Sequence, residues 1–130
     1  MPDILINNNR FYNPVDYVLQ LIGGTWKTPI IWRLRNKSLR YNELEKDIPH
    51  ISQKMLTKAL KEMEQSGIVS KEVFTAVPPK VIYSLTEKGK KLIPLIEYIR
   101  GQGFELLKDE GIDYEKMVKE EAAQKKTAKK

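Results

Sequence analysis

The 130-residue sequence predicts a mainly α-helical domain that carries one small antiparallel β-hairpin. Three observations predict it. Apolar residues recur at helical spacing both before residue 67 and after residue 86. Between Val69 and Leu85 the period changes to two, the alternation of a strand, on either side of Pro78-Pro79. A hydrophobic fraction of 41% over this length supplies one core rather than two.

Each element follows in order. Asn7-Asn8-Asn9 carries neither period and suggests a turn or an irregular segment, so residues 1–12 are expected to form an arm. Pro14 suits the first turn of a helix that runs to Ile22, with Val15, Val18, Leu19 and Ile22 as its core stripe. Gly23-Gly24 stops it. Thr25 is expected to cap a second helix reaching Asn36, with Trp26, Ile30, Ile31 and Leu34 on its buried face. Asn42, with Glu45 three positions later, has the spacing of a capping box and opens a short third helix that ends before Pro49. Ser52 caps a fourth helix of about 21 Å, and Gly67 closes it.

The two runs of alternation, Val69–Phe74 and Val81–Leu85, make the hairpin. Prolines cannot donate to a ladder, so Pro78, Pro79 and Lys80 belong at its tip. Thr86 caps a long fifth helix from Glu87 to Asp109, which Pro94 should kink. Asp113 caps a last helix through Ala123, and Gln124 to Lys130 should be frayed. The expected organisation is an arm (1–12), a main domain (13–110), and a C-terminal helix with a basic tail (111–130).

Composition removes several function classes. The chain has no cysteine, which excludes disulfides, thiolate metal sites and cysteine nucleophiles. Its single histidine, His50, cannot anchor a multi-histidine metal site or complete a Ser/His/Asp arrangement. No glycine-rich phosphate loop is present. An enzyme is therefore not expected, nor a cofactor, nor a metal. No apolar run approaches the roughly 20 residues that span a bilayer, and no signal peptide is legible, so the expected location is the cytoplasm. Trp26, Trp32 and His50 read as packing and turn residues rather than ligand contacts.

Charge points elsewhere. The net charge of +6 is partly a property of the lysine-rich tail. From Arg33 to Lys61, however, there are eight basic groups against three acidic ones. A concentrated basic stretch is the footprint of a polyanion binder. Much of it falls on the fourth helix. One face of that helix reads Ile51, Met55, Leu56, Ala59, Leu60 and Met63; the other reads Ser52, Gln53, Lys54, Thr57, Lys58 and Lys61, with no acid before Glu62. Helix, helix, helix, hairpin, helix is the order of a winged helix-turn-helix. In that plan the N-terminal part of the recognition helix meets base edges in the major groove. Gln53, Lys54 and Thr57 are the candidates for bases. Lys58, Lys61, Lys80 on the wing and Arg40 before the third helix are candidates for phosphates, with Ser52 at the helix start.

Three runs resemble one known family in chain order. They are Leu21-Ile22-Gly23-Gly24-Thr25-Trp26-Lys27, then Ile51-Ser52-Gln53-Lys54-Met55-Leu56-Thr57 continuing to Gly67-Ile68-Val69, then Val77-Pro78-Pro79-Lys80-Val81 with Tyr83-Ser84-Leu85-Thr86-Glu87-Lys88-Gly89. Over about residues 13–108 the chain resembles the HxlR-type regulators. The resemblance implies a winged helix fold akin to MarR-like regulators, a homodimer, and sequence-specific binding of double-stranded DNA in a prokaryotic cytoplasm. Many such regulators carry a cysteine just before the proline that opens the first helix; here that position is Asn13. Thiol sensing there is excluded.

The fifth helix carries more apolar surface than one packing face needs. Leu92, Leu95, Ile96, Ile99 and Leu106 form a stripe, with Ile93, Tyr98, Phe104 and Leu107 beside it. Together with Tyr17 and Leu21 on the first helix, these residues (Leu95, Ile99, Phe104 and Leu107 foremost) are the expected dimer seam. The same surface could instead cover the helix after Asp113 within one chain. Two other functions fit parts of the pattern. A winged helix used only for protein contacts would not need Lys54, Lys58, Lys61 and Lys80. A nonspecific nucleic-acid binder would use the tail but leave the structured basic face without a role. Nothing in the sequence points to a small-molecule effector, and nothing forbids one.

Overall fold

A computed structural model describes residues 3–128, with side chains described up to residue 125. It divides into two units, one ending at Ile93 and one beginning at Pro94. The element order is β1 (Ile4–Ile6), β2 (Asn9–Phe11), α1 (Pro14–Ile22), α2 (Lys27–Leu34), β3 (Leu39–Arg40), α3 (Tyr41–Asp47), α4 (Gln53–Gln65), β4 (Val69–Phe74), β5 (Lys80–Leu85), α5 (Glu87–Lys90), α6 (Leu92–Asp109) and α7 (Tyr114–Ala128). The mainly helical plan with a small antiparallel sheet is the one expected.

The arm is not irregular. β1 and β2 pair antiparallel, Ile4 opposite Phe11 and Ile6 opposite Asn9. Asn7 and Asn8 both take positive φ, 48° and 67°, the geometry of a two-residue turn whose twist suits a hairpin. Asparagine reaches that region at low cost, so the Asn run makes the expected turn, and the strands on either side of it are what the sequence did not show.

α1 is capped by Asn13, whose Oδ1 accepts from the Asp16 N–H at 2.8 Å. Its faces differ from expectation. Leu21 and Ile22 are buried, while Val15 and Leu19 are exposed. Tyr17 meets Phe11 edge to face at 5.0 Å, so the N-terminal hairpin decides which side of α1 turns inward. α2 starts two residues after Thr25, with Trp26 at the cap position and no side-chain cap, and it ends at Leu34. Pro29 sits in its first turn, where few N–H groups have helical partners to lose.

A strand unseen in the sequence, β3, joins the sheet in the order β3-β5-β4, all antiparallel. Leu39 opposes Tyr83 and Arg40 opposes Ile82. Pairing alternates β5 between the core, where Tyr83 and Leu85 are buried, and the outer face. β4 keeps only Val69 buried; the rest of the strand is exposed, so the ribbon leaves the core and projects. The core lies between α2, α3, α4 and the sheet. Ile30, Ile31, Leu44, Leu56, Leu60, Met63 and Ile68 are almost wholly excluded from water. Each such side chain contributes about 1.5–3 kcal/mol by burial.

The long fifth helix is two helices. Thr86 caps α5, accepting from the Gly89 N–H at 3.1 Å. α5 ends at Lys90 and α6 begins at Leu92. Pro94 has no N–H for the Lys90 carbonyl, and its ring crowds that oxygen, so the interruption falls one turn before the proline. In the second unit, Gly111 at φ 79° ends α6, and Asp113 Oδ1 accepts from the Lys116 N–H at 3.1 Å to open α7. α7 continues to Ala128, beyond the expected end at Ala123; Lys129 and Lys130, part of the tail expected to fray, lie outside the described residues.

Candidate nucleic-acid interface

α4 is set by local chemistry at both ends. Ser52 Oγ accepts from the Met55 N–H at 3.1 Å, the cap the sequence predicts. At the other end Ile68 donates to the Met63 carbonyl at 2.8 Å and Gly67 to that of Glu64 at 3.1 Å. Gly67 has φ 79°, and this pair of bonds is a Schellman close. Between the ends, Leu56, Ala59, Leu60 and Met63 are buried, and the helix is anchored by them.

The opposite face carries the predicted residues. Ser52, Gln53, Lys54, Thr57, Lys58 and Lys61 are all exposed. Lys54, Thr57, Lys58 and Lys61 follow one another at helical spacing, a row about 10 Å long. Among the described residues no carboxylate pairs with Lys54, Lys58 or Lys61. The first acid of the helix, Glu62, is drawn away from the row by Lys27 of α2 at 3.0 Å. Met55 departs from its expected place in the core stripe: it is exposed and sets an apolar group beside the cationic row.

Arg40 stands where β3 becomes α3. Its N–H donates to Glu43 Oε1 at 3.0 Å, so the third helix begins at Tyr41, ahead of the expected Asn42 cap. Its side chain is exposed. Arg40 opposes Ile82, two positions along β5 from Lys80, so both basic residues stand on the outer face of the sheet. Lys80 is the first residue of β5 rather than the tip; it pairs with Phe74, and its Nζ lies 5.7 Å from the Phe74 ring. The tip itself is residues 75–79, with Val77 fully exposed.

Two residues of this surface escaped the sequence reading. Lys27 is one. Tyr41 is the other: its hydroxyl donates to the Gln53 carbonyl at 3.1 Å and lies 2.8 Å from Thr57 Oγ1. Tyr41 and Thr57 are 16 residues apart, and no local period links them. Nearby, burial above all, then the charge of Glu64 and the neighbouring Tyr41, pushes the Tyr83 phenol up. Trp32, expected in the core, is only half-buried and carries the Arg35 guanidinium 3.9 Å from its ring.

The expected dimer residues are distributed unevenly. Leu21 is buried within its own chain. Tyr17 is half-buried, with the Lys88 ammonium 5.4 Å from its ring. In the second unit Leu95 and Leu107 are half-buried, and Ile99 is exposed. Phe104 stacks on Tyr114 at 5.7 Å, so α7 covers part of it. Tyr98 and Leu106 are the most exposed apolar residues of α6, ahead of Ile99.

No group of three or more metal-ligating side chains occurs among the described residues, and none of their helices is long and apolar enough to cross a membrane. A helix fixed by packing, a preceding helix joined to it by a turn with His50 at φ 69°, and a ribbon projecting behind make this chain a winged helix-turn-helix protein. It belongs to the HxlR-like helix-turn-helix family, whose model matches residues 21–110, and is a transcriptional regulator of that kind. It is 40% identical over 92 residues to an HTH-type transcriptional regulator of Methanothermobacter thermautotrophicus, covering 71% of this chain and 70% of that one. It is 44% identical over 90 residues to the regulator YdeP of Bacillus subtilis, covering 69% and 70%. Among solved structures, a MarR-family regulator from Porphyromonas gingivalis superposes with a TM-score of 0.69 at 39% identity, covering 72% of this chain and 92% of that one. The redox regulator HypR in its oxidised form superposes at 0.66 with 43% identity, covering 70% and 94%.

Proposed function

We propose that the protein binds a palindromic operator in double-stranded DNA as a homodimer, and regulates transcription from it. Residues 13–110 would form the DNA-binding domain with its dimerisation helices. α4 enters the major groove, where Gln53 and Lys54 read base edges and Lys58 and Lys61 hold phosphates. Thr57 works beside them. Ser52 sets the N-terminus of the helix, whose N–H groups favour phosphate. The wing carries Lys80, and Arg40 beside it, to the backbone or minor groove. The observation that carries this reading is the exposed row on α4 that no carboxylate among the described residues neutralises, with Glu62 paired instead to Lys27.

Dimerisation has a physical reason in the same scheme. One recognition helix covers only a few base pairs. Two related by a two-fold axis read half-sites about 34 Å apart. Exposed Val15 and Leu19 on α1, and Tyr98, Ile99 and Leu106 on α6, supply apolar surface for a second copy. The test is selection of bound sequences from a random duplex pool with purified protein. A palindrome with half-sites one helical turn apart supports the reading. A pool that stays random contradicts it.

A further inference from the structure

We propose that Tyr41 is a positioning residue for base recognition: its hydroxyl orients Thr57 and leaves the threonine oxygen able only to accept a hydrogen bond from DNA. The proposal rests on α4 being the reading helix. Tyr41 opens α3, and its Oη lies 3.1 Å from the Gln53 carbonyl oxygen and 2.8 Å from Thr57 Oγ1. A phenol has one proton, and a carbonyl oxygen can only accept. For both contacts to be hydrogen bonds at once, the Tyr41 proton must go to Gln53. The contact with Thr57 then requires the threonine to donate, which spends its one hydroxyl proton. What Thr57 keeps for a partner is a lone pair and its γ-methyl group.

That choice carries sequence information. In the major groove adenine and cytosine present amino donors, thymine presents a methyl group, and guanine presents two acceptors. A Thr57 held in this way matches an amino donor or a methyl and offers nothing to guanine. Without the Tyr41 hydroxyl, the Thr57 hydroxyl rotates freely and donates or accepts alike. Both bonds lie at the surface. Their loss should therefore register in selectivity more than in folding.

The experiment compares wild type, Tyr41→Phe, Thr57→Val and the double variant. Each is titrated on the operator selected by wild type and on random duplex at one salt concentration, with melting temperatures followed in parallel. Tyr41→Phe should lose roughly 2- to 10-fold on the operator and less than about twofold on random duplex, with its melting temperature little changed. The double variant should be no weaker than Thr57→Val alone, because Tyr41 acts through Thr57. Sequences reselected by Tyr41→Phe should relax at the base pair where Thr57→Val also relaxes. Equal losses of Tyr41→Phe on both duplexes, additive losses in the double variant, or an unchanged reselected consensus would overturn the role of Tyr41 alone. A wild-type chain that selects no operator would remove the base-reading function itself and this proposal with it.

Discussion

Gly89 lies so close to the carbonyl of Ile68 that a Cβ on Gly89 would stand 2.3 Å from that oxygen. The contact joins the start of α5 to the residue that follows the close of α4. The Thr86 N–H donates to the same carbonyl at 3.0 Å, and Lys88 Nζ donates to the Ser66 carbonyl at 2.8 Å. The end of α4 and the base of the β4–β5 ribbon are thus held by one short segment. Gly89→Ala must push backbone apart and should destabilise the protein by about 1–3 kcal/mol. Urea denaturation checks this; a midpoint equal to wild type would contradict it.

Acid and alkaline limits follow from two groups. The Tyr12 N–H and then the Gln20 amide hold the Asp16 carboxylate below its ordinary value of 3.8. Its folded pKa is depressed, so its contribution is complete above the unfolded value and is lost as pH falls through the folded one. Tyr83 is raised above 10.0, so its contribution is complete below that value and is lost as pH rises through the folded one. Denaturation midpoints of Asp16→Asn should fall less steeply than wild type as the pH drops through and below the ordinary carboxylate value of 3.8. Parallel curves would remove Asp16 from the acid response.

The helix that matters most was the most legible. Ser52, Gly67 and the stripe between them are local signals, and local chemistry sets both ends of α4. What escaped was decided by distant partners. β3 is two residues long and exists because Leu39 and Arg40 meet Tyr83 and Ile82. On α1 two apolar sets share one period, and the side chosen depends on Phe11 from the N-terminal hairpin. Tyr41 entered the site through a side chain 16 residues away.

Thiol oxidants should leave DNA binding unchanged. This chain has no cysteine, and Asn13 caps α1 through its side-chain oxygen. A gel shift with diamide-treated protein should match the untreated one. Release from DNA by diamide would contradict this.

Self-association should be visible in sedimentation equilibrium at low micromolar concentration, as twice the 15.1 kDa chain mass. A charge at Ile99 or Leu106 should yield monomer, since both are exposed in the single chain and neither substitution opens its core. A wild-type monomer that binds the selected operator at full affinity would contradict the dimer.

The most direct measurement is the affinity of Gln53→Ala, Lys54→Ala, Lys58→Ala and Lys61→Ala for the selected operator and for random duplex across a salt series. Gln53→Ala and Lys54→Ala should each lose about 1–3 kcal/mol on the operator and little on random duplex. Lys58→Ala and Lys61→Ala should weaken both duplexes alike and flatten the salt dependence by about one unit of slope each. Equal losses on operator and random duplex for Gln53→Ala and Lys54→Ala would contradict base reading by α4.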